Sequence, residues 1–125
     1  MPSRSDNSTL EQLLDSIQAV ATFVAKQSQL SFNRNRMLQD AVKYELLVIG
    51  EASKRFTSEF REQHPDWPWH QMIGLRNILT HEYDTVDLGT VWLTTKRSLP
   101  RLAGQVREAL GRDPAVDSSI EEPDR

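Results

Sequence analysis

Apolar residues recur at spacings of three and four through most of this chain, and that period restricts its fold more than any other feature of the sequence. The pattern covers residues 8–29, 32–60, 69–80 and 88–110. No segment alternates apolar and polar residues as a half-buried strand does, and the sequence holds no internal repeat or glycine-rich phosphate loop. The sequence therefore predicts an all-α fold, an up-and-down bundle of four to five helices.

Local signals place the ends of the helices. Ser8-Thr9-Leu10-Glu11 fits a capping box, which predicts that the first helix begins at Ser8. Pro65 and Pro68 separate the second helix from the third, because proline disfavours helical backbone in the residue before it. The third helix is expected to run from Trp69 to about Thr80.

The second and fourth helical segments each contain a residue that is unusual inside a helix. Gly50 lies near the middle of the second segment, where glycine costs about 1 kcal/mol relative to alanine. The close approach of another helix explains this glycine better than flexibility does. Asp87 supplies an N-cap for the fourth segment, and Pro100 is expected to bend or split it.

The length of 125 residues predicts one domain. Its expected parts are a flexible N-terminus over residues 1–7, a helical domain over residues 8–110 and a disordered acidic tail over residues 111–125. Residues 1–110 carry 13 Lys and Arg against 13 Asp and Glu, and residues 111–125 carry 2 against 5, so the net charge of −3 comes from the tail. A neutral body argues against a protein that coats nucleic acid through bulk charge.

The composition also excludes several kinds of chemistry. The chain has no cysteine, which removes disulfides, thiolate nucleophiles, thiolate zinc sites and iron–sulfur clusters, and no cofactor is expected. It has no apolar run long enough to span a membrane and no signal-peptide pattern at its start, which predicts a cytoplasmic protein without a membrane partner. His64, His70 and His81 show no metal-binding spacing on one helix face, so no metal site is expected.

Polar residues that can do chemistry are most concentrated in residues 74–84. Arg76 and Tyr83 are seven residues apart and return to nearly the same face of a helix, whereas His81 lies about 140° around the helix from Arg76. Two geometries can bring this arginine and histidine together. The helix can unwind around Thr80, or a second subunit can place its own copy of the segment opposite the first.

A structural role for these residues is the alternative. Arg76 then forms an ion pair with Glu51 or Glu82, His81 is a favourable cation at a helix C-terminus, and Tyr83 packs. Spacing alone does not decide between the structural and the chemical interpretation.

Two further groups of residues favour structural interpretations. Trp67 and Trp69 can stack on a base, but packing beneath a helical bundle is the preferred interpretation. Basic residues of the second segment can guide RNA, although a charged helix face is usually only solvated. These basic residues are Arg34, Arg36, Lys43, Lys54 and Arg55.

The chain carries Asp40-Ala41-Val42, Ile49-Gly50-Glu51-Ala52-Ser53-Lys54, and the runs 68–77 and 79–84. With these stretches, residues 32–110 resemble the HepT-like family of HEPN-domain ribonucleases. The family signature is Arg-x4-His-x-Tyr, and Arg76, His81 and Tyr83 meet it. The resemblance implies a HEPN-like bundle that dimerises around the motif helix, so that the two motifs of a homodimer face one cleft.

The resemblance also implies an activity. The expected protein is the toxin of a type VII toxin–antitoxin system, a metal-independent endoribonuclease that cleaves RNA by attack of a 2′-hydroxyl on the adjacent phosphate. Arg76 and His81 are then the catalytic residues, the arginine as a phosphate-binding cation and the histidine as a proton acceptor or donor. Asn77 and Glu51 are supporting residues, the first orienting a catalytic partner and the second holding Arg76 in place.

The same resemblance gives Tyr83 a separate role. In HepT-like proteins the motif tyrosine resembles an acceptor for AMP that a paired minimal nucleotidyltransferase, the MNT antitoxin, transfers to silence the toxin. An AMP group on Tyr83 would occupy the phosphate site of a cationic cleft and exclude RNA. The competing hypothesis is a non-catalytic helical module that binds nucleotide or the nucleotidyltransferase and whose motif is structural.

Overall fold

The computed structural model describes residues 2–114, and every regular element within them is helical. The helices are α1 (Arg4–Val24), α2 (Gln29–Asn33), α3 (Arg36–Lys54), α4 (Ser58–Gln63), α5 (Trp69–His81), α6 (Leu88–Leu93) and α7 (Leu99–Ala109), with a π-helical turn at Thr94–Ser98. The four long rods of the bundle are α1, α3, α5 and the pair α6 and α7, while α2 and α4 are short connecting helices. The predicted all-α fold is confirmed.

Contacts between the rods show that α1, α3 and α5 alternate in direction. Asp6, near the start of α1, contacts Thr57, which lies just beyond the end of α3. Lys43, in the first half of α3, reaches Tyr83, which lies just beyond the end of α5. The chain therefore runs up and down through the bundle, as the helical pattern of the sequence predicts.

The core lies between the rods, where their apolar faces meet. Burying one such aliphatic or aromatic side chain stabilises the fold by about 1.5–3 kcal/mol. The side chains that are at most 1% exposed include Leu10, Leu13, Val20, Phe32, Val42, Leu79, Val91, Leu102 and Val106.

The first helix begins earlier than the sequence predicts. Ser3 is its N-cap, and the Ser3 hydroxyl accepts a hydrogen bond from the Asp6 amide at 3.1 Å. Asp6 is buried and accepts from both the amide and the hydroxyl of Thr57, at 3.0 and 2.6 Å. This tie to α4 fixes the first turn, so the predicted start at Ser8 is wrong. Residues 4–7, which were expected in the N-terminal segment before the helix, belong to the helix.

The long second helix expected over residues 32–60 is divided into three. Asn35 caps α3 by accepting from the Leu38 amide at 3.0 Å, and Thr57 caps α4 by accepting from the Phe60 amide at 3.1 Å. Short polar side chains compete in this way for backbone N–H groups and start new helices. The apolar period continued across both breaks, which is why the sequence predicted one helix.

The other helix boundaries follow the sequence closely. The third predicted helix is α5, and Asp87 caps α6 by accepting from the Thr90 amide at 2.9 Å. Pro100 follows the π-helical turn, in which the Leu99 amide donates to the Thr94 carbonyl oxygen five residues earlier. Because proline cannot donate to the preceding turn, the rod widens there, and the predicted interruption at Pro100 is confirmed.

The tryptophan turn before α5 is a packed corner. Trp67 is buried and stacks on Trp69 with ring centres 5.5 Å apart. Trp67 also meets the Phe60 ring edge-on at 5.3 Å, and Trp69 Nε1 donates to the His64 carbonyl oxygen at 2.9 Å. The preferred interpretation of these tryptophans as packing residues is confirmed.

The C-terminal end of the described chain begins to turn after α7. Gly111 has φ of 77°, a left-handed conformation that glycine adopts readily beyond a helix end. Residues 115–125, which make up most of the predicted acidic tail, lie outside the described residues. Within residues 2–114, none of the helices is both long enough and apolar enough to cross a membrane.

Candidate functional site

Helix α5 lies very close to α3, and Gly50 makes this approach possible. A Cβ atom added at Gly50 would overlap the Arg76 Cβ atom and would lie 2.9 Å from Arg76 Cγ and 3.0 Å from the Met72 carbonyl oxygen. Any side chain at this position would push the two helices apart. The prediction that Gly50 marks a close helix contact is confirmed, and the residue that it accommodates is Arg76.

Two nitrogens of the Arg76 guanidinium are hydrogen-bonded to neighbouring side chains. Its Nε donates to Glu51 Oε2, and its Nη1 donates to Asn77 Oδ1 at 2.8 Å. The hydrogen bond from Arg76 lowers the pKa of the Glu51 carboxyl from its ordinary value of 4.5, against a smaller opposing effect of desolvation. The other guanidinium N–H groups make no hydrogen bond to residues that the structure describes. Arg76 is therefore oriented by its neighbours and keeps donors for a phosphate.

Tyr83 is attached to α3 by three contacts. Its hydroxyl donates to Asp40 Oδ1 at 3.1 Å, its carbonyl oxygen accepts from Lys43 Nζ at 2.8 Å, and the same ammonium lies 4.6 Å from the centre of its ring. Burial first, and then the hydrogen bond to Asp40, raise the pKa of the Tyr83 hydroxyl above its ordinary value of 10.0. Arg36 Nε pairs with the other oxygen of Asp40 at 3.2 Å, which balances the charge of that carboxylate.

His81 is the last residue of α5, and its side chain is exposed. Within residues 2–114, no hydrogen bond or ion pair restrains its imidazole. The helix remains continuous up to His81, because the Glu82 amide still donates to the Ile78 carbonyl oxygen at 2.7 Å. The geometry in which the helix unwinds around Thr80 is therefore wrong, and Arg76 and His81 leave α5 about 140° apart.

An apolar groove runs along another side of α5, between this helix and the α6–α7 rod. Its volume is about 340 Å³, and one of its walls is Gly74, where an added Cβ would meet nothing within 4 Å. Ile78 also lines the groove and is 44% exposed, which is high for an aliphatic side chain. The other aliphatic residues of the lining are Leu46, Ile49, Leu75, Leu99 and Leu102.

Arg76, His81 and Tyr83 all lie within a stretch of the chain that matches a known family. The family model described as "Ribonuclease HepT-like" matches residues 13–109, which contain both helices of the site and the complete motif. The chain belongs to the HepT-like ribonuclease family. The resemblance drawn from the sequence is confirmed, and the expectation of a ribonuclease is confirmed at the level of the family.

Several known proteins are similar to this chain over nearly their full length. A protein of Methanocaldococcus jannaschii with RNase in its name is 36% identical over 106 residues, which are 85% of this chain and 97% of that protein. The "Probable ribonuclease HepT" of Thermococcus cleftensis is 34% identical over 102 residues, 82% of this chain and 93% of that protein. A protein of Caldanaerobacter subterraneus, also with RNase in its name, is 35% identical over 104 residues, with coverage of 83% and 93%. No solved structure matches this chain significantly.

The structure brings together some of the site residues expected for a HepT-like protein and leaves one apart. Glu51 and Asn77 both hydrogen-bond Arg76, as their expected supporting roles require. Tyr83 lies along the same α3–α5 contact, whereas His81 leaves α5 about 140° around the helix from Arg76. In the part of the chain that the structure describes, no three His, Asp or Glu side chains are grouped so that they could hold a metal ion.

Sequence analysis missed the two α3 residues that hold Tyr83. Lys43, expected on an exposed basic face, is 4% exposed and bonded to Tyr83. Asp40 received no role, although it lies eleven residues before Glu51 and therefore on the same helix face. That spacing is the signal that could have identified Asp40, because Glu51 was already expected to face the motif.

Proposed function

We propose that two copies of this chain form one composite, metal-independent endoribonuclease site, and that the protein is the toxin of a type VII toxin–antitoxin pair in the cytoplasm. The observation that carries this proposal is the continuity of α5 up to His81. Because Arg76 and His81 diverge within one chain, a second copy is the remaining way to bring an arginine and a histidine to the same phosphate.

The proposed reaction needs a cation, a proton acceptor and a proton donor. The 2′-oxygen of the RNA attacks the adjacent phosphorus, and the bond from phosphorus to the 5′-oxygen of the next nucleotide breaks. His81 of one copy takes the proton from the 2′-hydroxyl, and His81 of the other copy gives a proton to the departing 5′-oxygen. Arg76, oriented by Glu51 and Asn77, binds the phosphate oxygens through its remaining donors.

The apolar groove beside α5, on the side of the helix that carries His81 and not Arg76, is the surface that we propose for the second copy. Exposed aliphatic side chains next to a motif helix favour association, since association removes apolar surface from water. Gly74 leaves the helix backbone accessible in that groove, so another helix can come close. Ile78→Glu is expected to give a folded monomer, measured by sedimentation and circular dichroism. Leu93→Glu, at an equally exposed position outside the groove lining, is the matched control.

The second proposed partner is a nucleotidyltransferase of the MNT kind that transfers AMP to Tyr83. The Tyr83 oxygen attacks the α-phosphorus of ATP, pyrophosphate leaves, and Asp40 is placed to take the phenolic proton. The new phosphate then lies beside the Asp40 carboxylate, about 16 Å along the α3 axis from Glu51, the residue that holds Arg76. The rest of the AMP group therefore has to extend along the α3–α5 contact to compete with RNA at Arg76.

The experiment that tests the nuclease uses full-length protein purified without its nucleotidyltransferase and treated with a chelator. It should cleave single-stranded RNA, and Arg76→Ala or His81→Ala should abolish cleavage. His81→Ala should keep the stability of the parent, because its side chain is exposed and makes no hydrogen bond to described residues. Arg97→Ala removes an exposed arginine from the π-helical turn and is expected to leave cleavage unchanged.

Two results would contradict the proposal of a metal-independent nuclease. If both motif variants cleave as fast as the parent, the catalytic roles of Arg76 and His81 are wrong. If activity disappears with chelator and returns with zinc or manganese, the site depends on a metal. An inactive parent is first examined by intact mass, because an AMP group on Tyr83 would silence it.

The non-catalytic alternative draws on the structural ties of the motif. Arg76 is paired with Glu51, and Tyr83 is packed against Lys43, as residues with purely structural roles would be. This alternative predicts that unmodified protein binds ATP or the nucleotidyltransferase and leaves RNA intact. Mass-verified protein that fails to cleave in the chelator assay would favour it.

A further inference from the structure

Tyr44 is a large aromatic residue that the fold leaves without a partner. Its side chain is 62% exposed in the middle of α3. Tyrosine usually buries most of its ring and uses its hydroxyl for a hydrogen bond. Among the residues that the structure describes, none stacks on the Tyr44 ring, places a cation over it or bonds its hydroxyl. Nothing in the fold of one chain accounts for this ring.

Tyr44 stands between the two α3 residues that hold the motif. It is four residues after Asp40, which binds Tyr83, and seven residues before Glu51, which binds Arg76. These spacings keep all three side chains on one face of the helix, with Tyr44 about 6 Å and about 10 Å along the axis from the other two. The ring is therefore presented beside the site and not on a remote surface.

The surroundings of Tyr44 favour a nucleic acid over an apolar partner. Asp40 is balanced by Arg36, and Glu51 is balanced by Arg76, so neither carboxylate leaves a full uncompensated charge to repel a phosphate backbone. We place the second copy at an apolar groove on another side of α5. An exposed ring next to cations that bind phosphate is the combination that single-stranded nucleic acids recognise.

We propose that Tyr44 is a base-binding subsite, on which a nucleobase of single-stranded RNA stacks while the neighbouring phosphate is bound at Arg76. This inference rests on the proposed function, because it requires RNA at the α3–α5 face. Stacking is tolerant of sequence, since every base has a π-face, so Tyr44 adds affinity and position more than base identity.

The test measures binding to an oligonucleotide that cannot be cleaved. The probe is a 2′-O-methyl RNA that carries the fluorescent base 2-aminopurine at one position at a time, bound to the full-length dimer. Tyr44→Ala should weaken binding roughly 5- to 150-fold, the equivalent of about 1–3 kcal/mol for base–aromatic stacking. It should also remove the change in 2-aminopurine fluorescence at one position, whereas Tyr44→Trp should retain both. Phe23→Ala, which removes a partly exposed ring from α1, should match the parent.

An oligonucleotide with an abasic site at the responding position separates stacking from other contacts. The parent should bind it about as weakly as Tyr44→Ala binds the intact probe, and Tyr44→Ala should lose nothing further. Equal affinity of Tyr44→Ala and the parent for the intact probe would overturn the proposal. An equal loss of affinity by Tyr44→Ala on the intact and abasic probes would also overturn it. Dissociation of the dimer by Tyr44→Ala in sedimentation would do the same. A parent that neither binds nor cleaves RNA would instead refute the proposed function itself.

Discussion

Replacing Gly50 by alanine tests whether the close contact of α3 and α5 positions the site. The new Cβ would overlap Arg76 Cβ and crowd the Met72 carbonyl oxygen at 3.0 Å. Both atoms are attached to the α5 backbone, so neither can rotate away as the tip of a flexible side chain can. The two helices must therefore separate, and Arg76 must move relative to Glu51.

Two effects of opposite sign set the size of the change. Overpacking costs about 1–3 kcal/mol, and the upper end applies here because the obstructing atoms belong to a helix. Alanine is better than glycine inside a helix by about 1 kcal/mol. We therefore expect Gly50→Ala to lower the free energy of unfolding by about 2 kcal/mol. Gly104→Ala is the matched control, since its Cβ would lie 3.7 Å from the nearest atom, the Pro114 carbonyl oxygen, and should raise stability by about 1 kcal/mol.

Urea unfolding followed by circular dichroism measures both variants. All samples are compared at the same protein concentration, because association makes the apparent stability depend on it. RNA cleavage by Gly50→Ala should also fall, as Arg76 is displaced, while Gly104→Ala should cleave like the parent. If Gly50→Ala is as stable as Gly104→Ala, the close packing of α5 on α3 is not what requires glycine.

Three further predictions concern charged groups of the fold. Glu51→Gln should reduce cleavage at neutral pH because Arg76 loses its ion-pair partner. In the parent, the pKa of Glu51 is lowered, so the ion pair stabilises the fold above pH 4.5 and is lost as the pH falls through the lower pKa of the folded state. A pH series of cleavage rates and unfolding midpoints measures this dependence. In an absorbance titration, the Tyr83 hydroxyl should show a pKa above its ordinary value of 10.0, and Asp40→Asn should shift this ionisation to lower pH. The neutral phenol stabilises the fold below pH 10, and this stabilisation is lost as the pH rises through the raised pKa. Asp6→Ala should lower the free energy of unfolding by about 1–3 kcal/mol in urea, because a partly buried amide N–H at the start of α4 loses its acceptor; an unchanged midpoint would mean that the first turn of α1 does not depend on this tie.

The sequence predicted the features that depend on helical period. The four rods, the cap at Asp87 and the interruption near Pro100 all follow from residues close together in the chain. Gly50 was also interpretable, since glycine inside a helix has a measurable cost and needs a reason. These features depend on residues that are close together in the chain, so they can be predicted from the sequence alone.

The features that the sequence did not reveal depend on contacts between distant segments. Ser8 fits a capping box in the sequence, but the helix begins after Ser3, where the buried bond from Thr57 to Asp6 fixes the first turn. Lys43 looks like a solvated basic residue until α5 is placed over it, where the Tyr83 carbonyl oxygen meets its ammonium. The choice between an unwound helix and a second copy was open for the same reason, because it depends on whether α5 remains helical at Thr80.

If AMP is transferred to Tyr83 as we propose, the separate anchoring of the Tyr83 backbone bears on how the modification could be reversed. Lys43 donates a hydrogen bond to the main-chain oxygen of Tyr83, and this bond does not involve the phenolic hydroxyl. Esterification of the hydroxyl would expel the ring from its place beside Asp40 while the polypeptide stays tethered. The modified protein would then remain folded, and hydrolysis of the nucleotide ester would let the ring pack beside Asp40 again without refolding.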